Sequence, residues 1–239
     1  MRLPRAWFAA VAVAAATCPA AAQEQVTIDL TGVQIRNASN QSRDSSPNTI
    51  SPAFGYRYVI DGYVRGVGGV LGLLYPNPTP LAQVMEDLAP GSSSGLEGEG
   101  YNPGGAHPVV LVNDRTEGVT VIGGVTVTYG LTLIAGIRAD HVAYFQIFDV
   151  ILSPSFLVGY LQFTSGSVTI MRIPVVPGDL NWDGRINGED VQALALGLAD
   201  SAAYRAAYGE NPLLAGDLNR DGLLDSADAD ALAAVLLAG

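Results

Sequence analysis

Val125-Thr126-Val127-Thr128-Tyr129-Gly130-Leu131-Thr132-Leu133 alternates apolar residues with Thr and Gly for nine positions. A period of two is what a half-buried strand requires, because successive side chains leave a strand on opposite faces. Gly123-Gly124 stand just before this run and suit the tight turn of a hairpin. Working outward, further strands are predicted at 26–35, 56–66, 108–113, 142–152, 158–163 and 167–173, with Ser165-Gly166 as a turn between the last two. Helical character is confined to 80–88, and the segments 37–52 and 89–107, rich in Ser, Asn, Gly and Pro, read as long loops that serve binding or mobility. An antiparallel β-sandwich over residues 23–174 fits this pattern, and its 152 residues are enough for one core.

Beyond Pro174 and Pro177 the pattern changes. Asp179-Leu180-Asn181-Trp182-Asp183-Gly184-Arg185-Ile186-Asn187-Gly188-Glu189-Asp190 is repeated thirty-eight positions later. The second copy is Asp217-Leu218-Asn219-Arg220-Asp221-Gly222-Leu223-Leu224-Asp225-Ser226-Ala227-Asp228. Both copies put oxygen-bearing side chains at loop positions 1, 3, 5, 9 and 12. A calcium ion takes six to eight oxygens, so a twelve-residue loop wrapped around it must turn alternate side chains inward. Gly184 and Gly222 provide the sharp turn at position 6, and Arg185 and Leu223 offer main-chain carbonyls at position 7. The candidate ligands are therefore Asp179, Asn181, Asp183, Arg185, Asn187 and Asp190, then Asp217, Asn219, Asp221, Leu223, Asp225 and Asp228, for two ions. A solvated acidic surface or a run of Asx turns explains single residues of this kind but not their repetition. Ile186 and Leu224 at position 8 are expected to pair the loops, and Leu194 and Leu232 to begin the buried faces of two helices.

With Gly178-Asp179 and Gly216-Asp217 leading the two loops, residues 178–239 resemble a type I dockerin, built from two halves of the form GDxNxDGxIN-x-x-D-x-x-x-L. The resemblance covers 62 of the 239 residues. It implies an α-helical module folded by two calcium ions in EF-hand-like loops, docking a secreted cargo onto a cohesin-like module of a scaffold or cell surface in polysaccharide-degrading systems. By the same resemblance, Gly188, Glu189, Ala195 and Leu196 in the first half, and Ser226, Ala227, Ala233 and Ala234 in the second, occupy the contact positions. The segment 198–215 is long for the family, and Tyr204 and Tyr208 within it are spaced for a short extra helix.

Residues 1–22 read as a secretory signal: Arg2 and Arg5, an apolar stretch from Ala6 to Thr17, and Ala20-Ala21-Ala22 before a cleavage point. Cys18, the single cysteine, lies inside it, so the exported chain is expected to hold itself by core burial and metal rather than disulfides. Secretion, with or without cell-surface attachment, follows. All twelve basic residues are Arg, a bias we read as GC-rich bacterial coding. Eleven acids and three Arg follow residue 178, against twelve acids and seven Arg in 23–178, so much of the acidity falls where cations are expected. No basic patch suggests nucleic acid, and no second stretch is apolar enough to span a bilayer.

Catalytic signals are weak, and no catalytic residue is assigned. Gly91-Ser92-Ser93-Ser94-Gly95 matches G-x-S-x-G, but the Pro90 and Ser context denies the strand-to-helix turn a nucleophile elbow needs. Asp140-His141 reads as a turn. Among Glu86, Asp87, Glu97, Glu99, Asp114 and Asp149 no spacing selects the opposed pair that glycoside hydrolysis requires. Tyr56, Tyr58, Tyr63, Tyr101, Tyr144 and Tyr160 could stack on polysaccharide if a row of them were exposed. The expected protein is thus a dockerin-bearing binding or structural module; a small polysaccharide hydrolase, or a surface protein whose loops only stabilise it, are the alternatives.

Overall fold

A computed structural model describes residues 24–36, 42–122, 124–153 and 159–238; the expected signal and cleavage point lie outside them. The strands are β1 (Gln25–Asp29), β2 (Gln34–Ile35), β3 (Ser42–Asp44), β4 (Gly55–Val67), β5 (Thr79–Pro80), β6 (Glu97–Tyr101), β7 (Val109–Ile122), β8 (Val125–Ile137), β9 (Ala143–Ser153) and β10 (Tyr160–Arg172). The helices are α1 (Gly69–Leu74), α2 (Leu81–Leu88), α3 (Gly188–Ala199), α4 (Ser201–Tyr208), α5 (Pro212–Gly216) and α6 (Ser226–Ala238). The chain is mainly β, and the described strand pairings are antiparallel.

One sheet runs β1–β10–β4–β5, with β2 also on β10 and β6 also on β4; the other runs β3–β9–β8–β7. Alternation along each strand sends one set of side chains inward: Tyr56, Tyr58, Ile60 and Val64 from β4, Leu131, Leu133, Ala135 and Ile137 from β8, Phe145 and Ile147 from β9. These residues share a single core with Leu81, Val84, Met85 and Leu88 of α2. Each fully buried large side chain contributes about 2 kcal/mol by area removed from water, which is what lets a region without disulfides hold together.

Two strand expectations change in an instructive way. The runs expected at 158–163 and 167–173 are not separated by a turn: 160–172 form the continuous β10, and residue 158 lies outside the described residues. Leu161 and Phe163 face the core at odd positions, Val168 and Ile170 at even ones, and the change of phase falls at a bulge opposite Tyr63 and Val64. Gly166 (φ 146) permits it, since a Cβ there would lie 2.5 Å from the Asp61 carbonyl oxygen. The 26–35 run breaks into β1 and β2 around Gly32 (φ 81). The β7–β8 register, with Ile122 opposite Val125, makes the expected hairpin; Gly123 itself lies outside the described residues.

A second, separate core lies in the C-terminal region, where Leu180 of the first loop packs with Ala193, Leu194, Tyr204, Ala215 and Leu232 of the helices. Asn187 caps α3 in a capping box with Asp190, Asp200 caps α4 through the N–H groups of Ala202 and Ala203, and Asn211 caps α5 ahead of Pro212. The segment 198–215 therefore supplies two helices, one more than its tyrosine spacing suggests. Among the described residues no helix is long and apolar enough to cross a membrane.

Candidate metal centre

The two twelve-residue loops repeat each other almost bond for bond. At position 1, Asp179 accepts the N–H groups of Asp183 (3.1 Å) and Gly184 (2.9 Å), and Asp217 those of Asp221 (3.1 Å) and Gly222 (2.9 Å). At position 3, Asn181 and Asn219 each accept the position-5 N–H at 3.0 Å. At position 5, Asp183 and Asp221 accept the N–H of Arg185 and Leu223. At position 9, Asn187 and Asp225 accept from Glu189 and Ala227. At position 12, Asp190 accepts from Leu180, Asn181 and Asn187, and Asp228 from Leu218, Asn219 and Asp225.

Backbone shape repeats as well. Gly184 and Gly222 take φ 84 and 88, the left-handed region where glycine has no Cβ penalty. Position 4 is left-handed too, in Trp182 (φ 61) and Arg220 (φ 64), which a non-glycine residue adopts only under constraint. Trp182 is held by its indole N–H donating to the Tyr204 hydroxyl (3.2 Å), and Tyr204 in turn donates to the Leu180 carbonyl. Burial pushes the Tyr204 hydroxyl up to about 12.

Asp179, Asp190, Asp217 and Asp228 are buried, whereas Asp183, Asp221 and Asp225 are exposed. Among the described residues no three His, Cys, Asp or Glu side chains converge as a ready-made cluster. The loops instead mix carboxylates with Asn amides and a main-chain carbonyl, an all-oxygen set suited to a hard cation rather than to zinc or copper. Carboxylates offer about four lone-pair directions. Main-chain N–H groups take two of those on Asp179 and three on Asp190, so each retains capacity for an ion or an ordered water. The donor set therefore fits calcium, with the position-12 Asp more committed to the backbone than the others.

Leu194 and Leu232 are buried as expected; Leu224 packs on the C-terminal core, while Ile186 lies over Gly178 and is more than a third exposed. Of the eight positions implied by the dockerin resemblance, Gly188, Glu189, Ala195, Ser226, Ala227, Ala233 and Ala234 are exposed. Leu196 is half-buried against the C-terminal core, so it serves packing at least as much as contact. Periodicity alone passed over Val191 and Leu198, exposed on α3 at helical spacing with Ala195, and Val235 and Leu237 on α6.

The β-rich region meets this centre through a junction that no local sequence pattern signals. Tyr101 donates to Asp217 at 2.5 Å, Arg220 lies 4.6 Å from the centre of the Phe54 ring, and Arg57 bridges Glu99 (3.0 Å) and Glu210 (2.9 Å). Burial, then the Asp217 hydrogen bond, raise the Tyr101 pKa well above its usual value, so the hydroxyl remains a donor.

Elsewhere the catalytic candidates disperse. Ser92–Leu96 is a 3-10 turn after α2, and Glu86 takes the Gly91 and Ser93 N–H groups and the Ser93 hydroxyl, leaving no base for a nucleophile. Asp87 binds the Tyr75 hydroxyl and Gln83. The Asp149 side chain lies outside the described residues. His141 sits in a turn at φ 68 and stacks edge-on against His107, whose Nε2 lies 2.6 Å from the Tyr56 hydroxyl; burial, then His141, hold His107 below its usual pKa. Tyr56 and Tyr58 are buried, and Tyr63 alone of the six candidate tyrosines is clearly exposed, so they form no stacking row. An open cleft of about 530 Å³ does collect Glu97 and Glu99, with Arg57 and Arg205. Both carboxylates stand two residues apart on β6, on one wall rather than on opposite sides of a bond. No family model matches this chain, and no significantly similar curated protein or solved structure is found.

Proposed function

We propose that the chain is an exported calcium-binding protein in which a dockerin-like module, residues 175–239, carries a β-sandwich binding or structural module, residues 23–174, to a cohesin-like partner on a scaffold or cell surface. The observation that carries the calcium part is the repetition itself: five oxygen-bearing positions with the same main-chain hydrogen bonds in both loops. Helix capping accounts for positions 9 and 12 without an ion. It does not account for the buried position-1 carboxylates or the left-handed position 4 in both copies. In this reading Asp179, Asn181, Asp183, the Arg185 carbonyl, Asn187 and Asp190 hold one ion. Their counterparts Asp217, Asn219, Asp221, the Leu223 carbonyl, Asp225 and Asp228 hold the other.

Calcium at a hundred times its dissociation constant would stabilise the folded module by about 2.7 kcal/mol per site. Calorimetric titration of the full chain should find two sites, with the second loop the tighter because Asp225 gives it a fourth carboxylate. One site or none would overturn the reading. The partner half rests on the dockerin resemblance and on the exposed apolar stripe Val191, Ala195 and Leu198. Its test is recovery of a cohesin-like protein in calcium, lost on Ala195→Asp. A purely structural role for the loops is the second reading, favoured by the β-rich region packing against the second loop. Against a hydrolase stands the one-sided placement of Glu97 and Glu99, with Glu99 paired to Arg57.

A further inference from the structure

We propose that Tyr101 is a positioning residue for the second loop, and that through it ion binding at that loop and docking of the β-rich region strengthen each other. The proposal rests on the calcium reading above. The two position-1 carboxylates differ in one donor. Among the described residues Asp179 Oδ2 takes the Gly184 N–H, whereas Asp217 Oδ2 takes both the Gly222 N–H and the Tyr101 hydroxyl. With two donors on Oδ2 and one, from Asp221, on Oδ1, the Asp217 carboxylate is fixed in rotation and presents Oδ1 with a lone pair free. A hydrogen bond that orients a ligating carboxylate in this way alters metal affinity by about 10- to 100-fold.

Tyr101 is itself anchored, because it ends β6 and pairs with Gly55 of β4. Around it the two regions close tightly. Arg220, the left-handed position-4 residue, covers the Phe54 ring, and Leu214 of α5 fills the space over Gly55, where a Cβ would come within 2.3 Å of it. The remaining gap between Phe54, Tyr101, Leu214, Asp217, Leu218 and Arg220 is about 30 Å³, room for a water and not for a side chain. The first loop's position-4 residue, Trp182, turns instead to Tyr204 of its own helices. Coupling between sites is reciprocal: if docking raises the affinity of the second loop, the ion must strengthen docking by the same factor. The first loop has no such contact among the described residues and should bind independently of the β-rich region.

The experiment titrates calcium into full-length wild type, Tyr101→Phe and Arg220→Ala by calorimetry, and follows limited proteolysis at residues 174–177 in calcium and in chelator. Tyr101→Phe should weaken one site about 10-fold or more and leave the other unchanged. Repeating it in an Asp179→Ala background should show that the weakened site is the second. Calcium should protect the 174–177 segment in wild type and protect it less in Tyr101→Phe. Arg220→Ala removes a docking contact and no ligand, so it should shift the same site in the same direction, and it answers the question if Tyr101→Phe folds poorly. Two wild-type sites with unchanged affinities and equal protection in both variants would overturn the coupling while leaving the calcium reading intact. Wild type that takes up no calcium would overturn both.

Discussion

The two loops share a bonding pattern and differ in what surrounds them. Loop 179–190 leans on its own helices, where Tyr204 and Trp182 close a contact built from residues twenty-two apart. Loop 217–228 leans on the other half of the protein, through a hydrogen bond between residues 116 apart. A shared bonding pattern can therefore serve two roles, because the main chain sets what a loop can hold while packing sets what that holding is linked to. Substitutions at matched positions separate the two contributions.

The largest effects are expected where the loops are most alike. Asp190 and Asp228 are fully buried, and each accepts three main-chain N–H groups. Asp190→Ala or Asp228→Ala leaves those donors unpaired and removes the carboxylate that reaches back to the helix start, at about 3 kcal/mol each without any ion. Urea denaturation in chelator should show both variants losing the helical region first while the β-rich core persists. A difference of more than about 1.5 kcal/mol between them would mean that the environment of each loop outweighs the shared bonds, breaking the comparison.

A smaller effect should fall on one loop alone. Tyr204→Phe keeps the ring in the core and removes only the hydroxyl that donates to the Leu180 carbonyl and accepts the Trp182 indole. About 1–2 kcal/mol should be lost, with the first loop's ion affinity reduced and the second's untouched. It is the mirror of the Tyr101 experiment, and equal losses at both sites would show that the helical core transmits strain between the loops.

How much of this was legible follows from the distance over which each signal acts. Asp179 to Asp190 could be read because a twelve-residue loop is defined by spacing within itself, and the capping of α3 by Asn187 uses the same residues. The β4 and β9 alternations were legible for the same local reason. Strand β6, Glu-Gly-Glu-Gly-Tyr, carries no apolar period at all; it exists because β4 offers an edge, and Gly98 and Gly100 admit the Tyr58 ring and Leu111. Periodicity misread β10 because a bulge and a turn break phase alike. The contacts of Tyr101, Phe54 and Arg57 depend on residues brought from across the chain, so nothing near them in sequence announced a role.

The subtlest prediction concerns the polar edge of the same junction and sharpens the contrast, since among the described residues the first loop has no such neighbour. One guanidinium nitrogen of Arg57, on β4, meets Glu99 of β6 and Glu210, which lies between α4 and α5, while Arg205 of α4 stands 3.9 Å from Glu99. One oxygen of each Glu is buried without a hydrogen-bond partner. Burial pushes the Glu210 carboxyl above its usual range and the neighbouring Glu99 adds to it, against the pull of Arg57. A raised carboxyl pKa means the docked form holds a proton that the separated form has released. Docking is then strongest below the ordinary value of 4.5 and weakens as pH rises through the raised one. With one proton at stake the slope is at most about 1.4 kcal/mol per pH unit, and half-exposed Arg57 should keep it well below that. In chelator, proteolysis at residues 174–177 should accelerate from pH 4.5 upward in wild type. Glu210→Gln keeps a hydrogen-bonding group without the titration, so its profile should be flatter over the same interval; parallel profiles would show that Arg57 compensates both carboxylates fully and that the junction is indifferent to this proton.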